Sequence, residues 1–141
     1  MTIETAFFSY VTSKAEITNL VSTRVFASVA PSSPTYPYIT FTVISNQPEH
    51  YMGGSSGLTS VRLQVDAWAR LVSEQQDISE ALRNVLDGYG GLMGTENLDV
   101  RMCFMENRNT FEEPDKQGKN LPVHRASIDY LIWHKESLPT L

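Results

Sequence analysis

The stretch LTSVRLQVDAW at residues 58–68 decides the fold, because its side chains alternate between two kinds with a period of two. Such alternation predicts a β-strand with one face on a hydrophobic core. The apolar series is Val61, Leu63, Val65 and Ala67, and the series between them is Arg62, Gln64, Asp66 and Trp68. Because the second series mixes charges and ends in a large aromatic ring, we predict that this face contacts another chain and does not form a catalytic pocket.

Three further stretches predict strands around the first one. Residues 38–45 are rich in β-branched and aromatic side chains, and residues 98–105 and 123–134 alternate in polarity. The predicted apolar face of residues 98–105 consists of Leu98, Val100, Met102 and Phe104. This assignment places Cys103 on the less apolar face of its strand.

Helical spacing of apolar side chains predicts two helices and one shorter helix between them. Residues 3–12 form an amphipathic pattern, and residues 73–87 form the clearest one, followed by Gly88 in the left-handed position that ends many helices. Residues 14–21 fit a second short helix. Capping boxes are predicted at the pairs Ser13 with Glu16 and Ser73 with Gln76.

Two segments are rich in Gly, Pro or charged residues: 46–57 is predicted to be a long flexible hairpin connection, and 106–120 is predicted to be a second long loop or the extended tip of a hairpin. Hairpin loops commonly have two to about five residues, so loops of this length are expected to serve a function. The order of elements predicts an α+β fold in a single domain, residues 1–141. Its mainly antiparallel four-stranded sheet has helices packed on one face.

Composition limits the class of protein. The chain has 141 residues, a formal net charge of -5 and no run of basic residues, so it is poorly suited to gripping a nucleic-acid backbone. Cys103 is the only cysteine, which excludes an internal disulfide. The start MTIE does not resemble a secretory signal, and the apolar segment 36–44 is too short to span a bilayer, so we expect a cytoplasmic protein without membrane contact.

No candidate catalytic or metal-binding pattern in the sequence is complete. The G-x-S-x-G pattern at 53–57 is followed by a strand, whereas a nucleophile elbow needs a strand before it and a helix after it. His50, His124 and His134 lack the spacing of a zinc site. A charged cluster that is typical of a solvated loop consists of Glu112, Glu113, Asp115, Lys116 and Lys119. The sequence therefore predicts no catalytic residue, no metal and no cofactor.

Trp68 and Trp133 lie on the polar faces of two strands that are expected to be neighbours. In one interpretation a further helix or loop of the same chain covers both rings. In the other they anchor a subunit interface, where tryptophan is enriched. The sequence leaves both interpretations open.

The order and spacing of these segments resemble the tail-completion proteins of long-tailed bacteriophages, also called tail-terminator or head–tail joining proteins. The resemblance extends over nearly the whole chain and is weakest at 107–120. The segments that carry it are the N-terminal helix pair, Arg24-Val25-Phe26, Pro31, Pro37-Tyr38-Ile39, Gly57-Leu58, the strand 61–68, the helix ending at Leu86 and the closing strand 128–133.

The resemblance implies a structural virion protein and not an enzyme. Proteins of this kind form a ring, typically a hexamer, that closes the end of the tail tube and meets the neck connector. On this interpretation the chain is assembled in the host cytoplasm into the tail or neck of the virion. Its partners are further copies of itself, the tail tube protein and a connector or stopper protein. DNA passes through the lumen without specific binding, which suits an acidic rim.

Expected residue roles follow from the ring. The expected subunit interface consists of Arg62, Gln64, Asp66, Trp68 and Trp133. The two long loops are expected to dock on the tube or the connector, and to become ordered on assembly, through Glu49, His50, Tyr51, Met52, Phe111, Glu112 and Glu113. Two alternatives stay open: another neck-ring protein, such as a head-completion or stopper protein, and a small α+β enzyme or ligand-binding domain.

Overall fold

One six-stranded sheet organises the chain, in the strand order β1-β2-β3-β6-β5-β4. The computed structural model describes residues 3–30, 35–95, 97–113 and 122–136. The elements are α1 (Ile3–Thr12), α2 (Ala15–Val21), β1 (Val25–Ala27), β2 (Tyr38–Tyr51), β3 (Gly54–Ala69), α3 (Val72–Leu86), β4 (Tyr89–Met93), β5 (Leu98–Glu113) and β6 (Val123–Lys135). β1 runs parallel to β2, and the other neighbouring strands are antiparallel.

The predicted four-stranded, mainly antiparallel sheet is wrong, because in the described residues the sheet has six strands, is mixed, and bends into a half-barrel with three helices. The two strands that were not predicted lie at its edges. β1 has only 3 residues, and β4 has 5 residues of which two are glycines, Gly90 and Gly91. Neither segment is long enough to show a clear alternation of apolar and polar side chains.

The hydrophobic core lies between the inner face of the sheet and the helices. Val61, Leu63 and Val65 of β3 are fully buried there, as their alternation predicts. Phe7 of α1 packs on Phe41 of β2, with ring centroids 4.9 Å apart. Full burial of such side chains contributes about 1.5–3 kcal/mol each. Because α1 contacts both edge strands, β1 and β4, it fills the half-barrel between its two edges.

The predicted helices are confirmed, but their predicted capping boxes are wrong. Lys14 and Leu71 occupy the two N-cap positions, and neither makes a side-chain capping hydrogen bond. Ser13 instead donates its hydroxyl proton to the carbonyl of Tyr10 at 2.6 Å. Gly88 follows α3 with φ +83°, which agrees with the predicted left-handed position. Within the described residues, no helix is long and apolar enough to cross a membrane.

A β-bulge at Arg101 reverses the predicted faces of β5. The register with β6 shifts between Val100 and Met102, and the extra residue moves the side chains from Met102 to Met105 to the opposite face, until a second shift between Met105 and Asn107 reverses the effect. Cys103 is therefore fully buried in the core, whereas Met102 is half exposed. The assignment of Met102 and Phe104 to the core face and of Cys103 to the less apolar face is therefore wrong, whereas the expectation that Cys103 is a buried or half-buried structural thiol is confirmed.

Most residues of the two predicted loops that the structure describes belong to β-strands. β2 and β3 remain paired as far as Tyr51 and Gly54, so only Met52 and Gly53 form the turn. β6 ends opposite Leu58, and residues 49–57, here called the hairpin arm, protrude beyond it. Of the second predicted loop, residues 106–113 belong to β5, and the remainder lies outside the described residues. The prediction of a flexible connection at 46–51 and 54–57 is therefore wrong, and of the two alternatives for residues 106–113, a loop or an extended hairpin tip, the structure shows extended strand.

Candidate interaction surfaces

The face of the sheet opposite the helices, here called the outer face, carries all five residues that the sequence predicts at a subunit interface. Arg62, Gln64, Asp66 and Trp68 follow one another along β3, in alternation with the buried core residues. Trp133 lies on β6 opposite Ser60 of β3. The structure thus brings the five residues onto one surface, and their role as an interface stays a prediction.

A row of aromatic rings and one guanidinium group crosses four strands at one end of the outer face. Arg125 of β6 lies over the ring of Trp68 at 5.1 Å and over that of Phe111 at 5.5 Å. Trp68 in turn stacks on Tyr38 of β2, with centroids 5.8 Å apart and planes 11° apart. The indole nitrogen of Trp68 donates to the hydroxyl of Thr40 at 3.1 Å. Trp68 is therefore packed by side chains of its own sheet.

Tyr38 forms the deepest part of this row. Its side chain is fully buried, although it belongs to the outer face. Tyr36 packs on it with ring centroids 5.1 Å apart, and Arg70 lies over the Tyr36 ring at 4.3 Å. Burial, with a smaller effect of the neighbouring Tyr36, raises the pKa of Tyr38 above its ordinary value. The row is thus a closely packed platform whose outermost ring, Phe111, is exposed.

Ion pairs occupy the centre of the outer face. The Nη2 atom of Arg125 lies 3.4 Å from Oδ2 of Asp66, a residue that is only 8% exposed. Gln64 donates its amide proton to Oδ1 of the same carboxylate at 3.3 Å. Arg62 lies 2.6 Å from a carboxylate oxygen of Glu106, and 3.8 Å from one of Asp129. Three carboxylates thus face two guanidinium groups, which leaves this surface slightly acidic.

The other end of the outer face is apolar. Met102 of β5 lies opposite Trp133, and Phe104 lies opposite Leu131. Leu92 of β4 shares this face, because its neighbour Met93 is buried in the core. Leu92 is 61% exposed and Met102 is 46% exposed. We call these five residues the outer apolar patch: Leu92, Met102, Phe104, Leu131 and Trp133.

The two predicted interface tryptophans are not neighbours. Trp68 lies opposite Arg125, and Trp133 lies opposite Ser60. The eight residues from Ser60 to Trp68 correspond to about 27 Å along the strand. Trp68 therefore belongs to the aromatic row, and Trp133 belongs to the outer apolar patch.

An apolar groove between α1 and β1 is a surface that the sequence does not predict. Its volume is about 460 Å³, and its lining residues are Glu4, Thr5, Phe8, Val25, Phe26, Ala27, Val29 and Phe41. Phe8 is 41% exposed and Val29 is 75% exposed. The only sequence signal was Phe8, an aromatic residue beside the buried stripe of α1, which is weak because single exposed apolar residues are common. A contiguous apolar surface of this kind is typical of an interaction site.

The predicted docking residues lie at opposite ends of the sheet. Glu49, His50 and Met52 belong to the hairpin arm, where Met52 is fully exposed at the turn, and Tyr51 ends β2. Phe111 lies opposite Arg125, at the far end of β3 from the arm. Glu112 and Glu113 complete β5 at that same end. The two sets thus face in opposite directions along the strands.

The other candidate reactive residues are scattered or buried. His50 lies in the hairpin arm, whereas His124 and His134 lie near the two ends of β6. Burial, together with the nearby Asp87 carboxylate, raises the pKa of the Cys103 thiol to about 12, so the thiol stays protonated at neutral pH. In the part of the chain that the structure describes, no group of His, Cys, Asp and Glu side chains is arranged to hold a metal ion.

Comparison with solved structures shows that this fold occurs in a phage-like particle. The chain is similar to a chain of the virion of the native gene transfer agent (GTA) particle, with a TM-score of 0.74 and 11% sequence identity over 95% of both chains. At this identity the likeness concerns the fold alone. No curated protein matches the sequence at a significant level.

The sequence itself matches a protein family from α1 to the end of β6. The family is described as Tail completion protein gp17, and the match covers residues 5–135. It includes the aromatic row, the outer apolar patch and the hairpin arm. The chain therefore belongs to the tail completion protein gp17 family and is a structural protein of the tail or neck of a bacteriophage virion.

Proposed function

We propose that copies of this chain form a ring, a hexamer, that closes the end of the tail tube and joins it to the neck connector. The observation that carries this proposal is the position of the hairpin arm and of the end of β5 at opposite ends of one sheet. A protein that joins two different assemblies needs two separate contact surfaces. A single subunit with exposed segments at both ends supplies them.

The hairpin arm has the properties of a contact segment. Its turn residue Met52 is fully exposed, and Glu49 and His50 are exposed beside it. The hydroxyl of Ser56 donates to the carbonyl of Glu49 at 3.0 Å, which ties the two strands together across the arm. An isolated two-stranded hairpin is only marginally stable in water. The arm therefore gains stability when a partner, the tube or the connector, packs against it.

The charge of the chain supports a channel that lets DNA pass. The formal net charge is -5, and the sequence has no run of basic residues. Acidic walls repel the phosphate backbone and do not hold it. We propose an acidic lumen on this ground, with DNA passing without specific binding.

A deletion tests the role of the hairpin arm. Because Pro48 pairs with Thr59, removing residues 50–56 leaves Glu49, Gly57 and Leu58 as a three-residue turn. In a complementation assay with a phage that lacks the protein, we expect the shortened protein to fold and virions to fail in head–tail joining. Electron microscopy would then show separate heads and tails. Normal virions would contradict the proposal.

A matched control separates the effect of the length of the hairpin arm from the effect of its side chains. Replacing residues 50–56 by seven Gly and Ser residues keeps the length of the arm and removes its side chains. If side chains of the arm bind the partner, this variant fails as the deletion does. Thermal unfolding of both variants checks that the subunit itself remains folded.

A further inference from the structure

We propose that the outer apolar patch of one copy binds in the groove between α1 and β1 of a second copy, so that each subunit contact joins two different surfaces. The inference rests on the proposed ring and names the two surfaces that build it. The occupant of the groove is thus another copy of this chain.

The two surfaces are both apolar and both expose large side chains. The groove of about 460 Å³ is concave and is lined by Phe8 and Val29. The outer apolar patch presents Leu92 and Met102 on the outer face of the sheet beside the edge strand β4. Gly90 lies in that edge strand and has no side chain that would cover Met102. Mutual burial would remove the most exposed apolar side chains of both surfaces from water.

Their positions predict a ring. The groove lies at the β1 edge of the sheet, and the patch extends over β6, β5 and β4 towards the opposite edge. Two different surfaces make a heterologous contact, which propagates from copy to copy and closes into a ring when the rotation fits. The contact runs across the strands, whereas the hairpin arm and the end of β5 point along them. Both docking ends therefore stay accessible.

Each surface has one charged side chain beside its apolar residues, and these two side chains are opposite in sign. Glu4 lines the groove. Arg101 precedes Met102 in β5, and its side chain is half exposed, with Nη2 at 3.4 Å from Oδ2 of Asp99. Facing charges of opposite sign favour one partner and one register of contact.

The edge of β1 favours contact through side chains over addition of a strand. The N–H of Val25 donates to the carbonyl of Thr23, and the N–H of Val29 donates to the carbonyl of Ala27, both at 2.8 Å. These local hydrogen bonds use backbone groups that a neighbouring strand would need. Natural sheets block unwanted strand pairing at their edges in related ways.

Disulfide cross-linking tests the contact between the outer apolar patch and the groove. In a Cys103→Ala background, we would combine Val29→Cys with Met102→Cys and oxidise the purified protein over a range of concentrations. We expect a ladder of covalent oligomers that ends at the mass of the ring, whereas each single-cysteine variant stays without cross-links. Cross-linked dimers of the Met102→Cys variant alone would show a two-fold contact and overturn the inference. Absence of cross-links in the double variant at every concentration would also overturn it.

A charge exchange provides an independent measurement. Glu4→Arg or Arg101→Glu alone should weaken self-association, measured by analytical ultracentrifugation, by about tenfold or more, and both changes together should restore it. Arg83→Glu on the exposed face of α3 is the control and should leave association unchanged. Failure of the double exchange to restore association would contradict the predicted pairing.

The inference and the proposed function can fail separately. Rings that form on tail tubes without the Val29–Met102 cross-link would refute this contact and leave the ring function intact. Cross-linked rings that bind neither tubes nor connectors would confirm the contact and refute the joining function.

Discussion

The guanidinium carbon of Arg125 lies 5.1 Å from the centre of the Trp68 ring, and Nη2 of the same group lies 3.4 Å from the carboxylate of Asp66. One side chain thus covers an aromatic ring and neutralises a carboxylate that is nearly buried. Loss of this side chain would affect the packing of the row and would remove the cation that pairs with Asp66.

Substitution of Arg125 by Met should lower the free energy of unfolding by about 1–3 kcal/mol, because Asp66 would lose the cation that compensates its burial. Adding Asp66→Asn to the same chain should recover part of this loss, since the remaining group is neutral. Urea unfolding curves of the two single variants and the double variant would give the coupling free energy between Arg125 and Asp66. A double variant no more stable than Arg125→Met would contradict the account.

Arg125→Lys is the conservative control. Lysine keeps the positive charge but lacks the flat guanidinium group that lies over Trp68 and Phe111. We expect a loss of stability smaller than that of Arg125→Met.

Two glycines should respond differently to alanine. A Cβ atom at Gly94 would clash with Oγ of Ser9 and would lie 2.7 Å from the carbonyl oxygen of Ala6 in α1. At Gly88 nothing lies within 4 Å of such an atom, although φ is positive at both positions. Gly88→Ala should therefore cost about 1 kcal/mol for its backbone conformation alone. Gly94→Ala should cost at least about 2 kcal/mol more, because α1 must shift.

Chemical denaturation of the two variants under the same conditions measures this difference. Equal losses of stability would show that α1 does not pack closely against the segment after β4.

Alkaline pH should destabilise the protein before its arginine residues titrate. Burial is the main cause that raises the pKa of Cys103 from 9.0 to about 12 and that of Tyr10 from 10.0 to about 12. The folded state thus keeps protons that the unfolded state releases, so stability is intact below pH 9 and falls as pH rises towards 12. Each such proton contributes a slope of up to about 1.4 kcal/mol per pH unit.

Cys103→Ala removes one of these groups and should make the loss of stability shallower between pH 9 and 12. The measurement is the free energy of unfolding at several pH values for both proteins. Identical slopes would show that the Cys103 thiol does not contribute.

The parts of the fold that could be predicted are those in which one face is buried. The strand 61–68 and the helix ending at Leu86 bury regular series of apolar side chains, so their periodicity is visible in the sequence. Gly88 could be predicted as well, because a left-handed residue at the end of a helix favours glycine.

The hairpin arm could not be predicted, because it has no core face and therefore no alternation of apolar and polar residues. Pro48 and Gly57 suggest a loop, yet a strand that protrudes beyond its neighbours tolerates both. The bulge at Arg101 has no local signal either, and it reversed the faces of Met102 and Cys103. The edge strands β1 and β4 are too short to show a period.

The outer face was predicted from the alternation along β3 and from Trp133 of β6, and the structure adds the contacts that these residues make. That Trp68 packs between Tyr38 and Arg125 depends on the register of three strands, which a single sequence does not contain. The groove beside Phe8 depends on the parallel pairing of β1 and was missed for the same reason.

The measurement that tests the central claim most directly is electron microscopy of the purified protein mixed with tail tubes, with mass measurement in parallel. The ring proposal predicts closed rings and a cap on one end of each tube. Tubes with bare ends, together with protein that binds the connector alone, would contradict it and place the chain in another ring of the neck. A monomer that binds neither partner would contradict the joining function altogether.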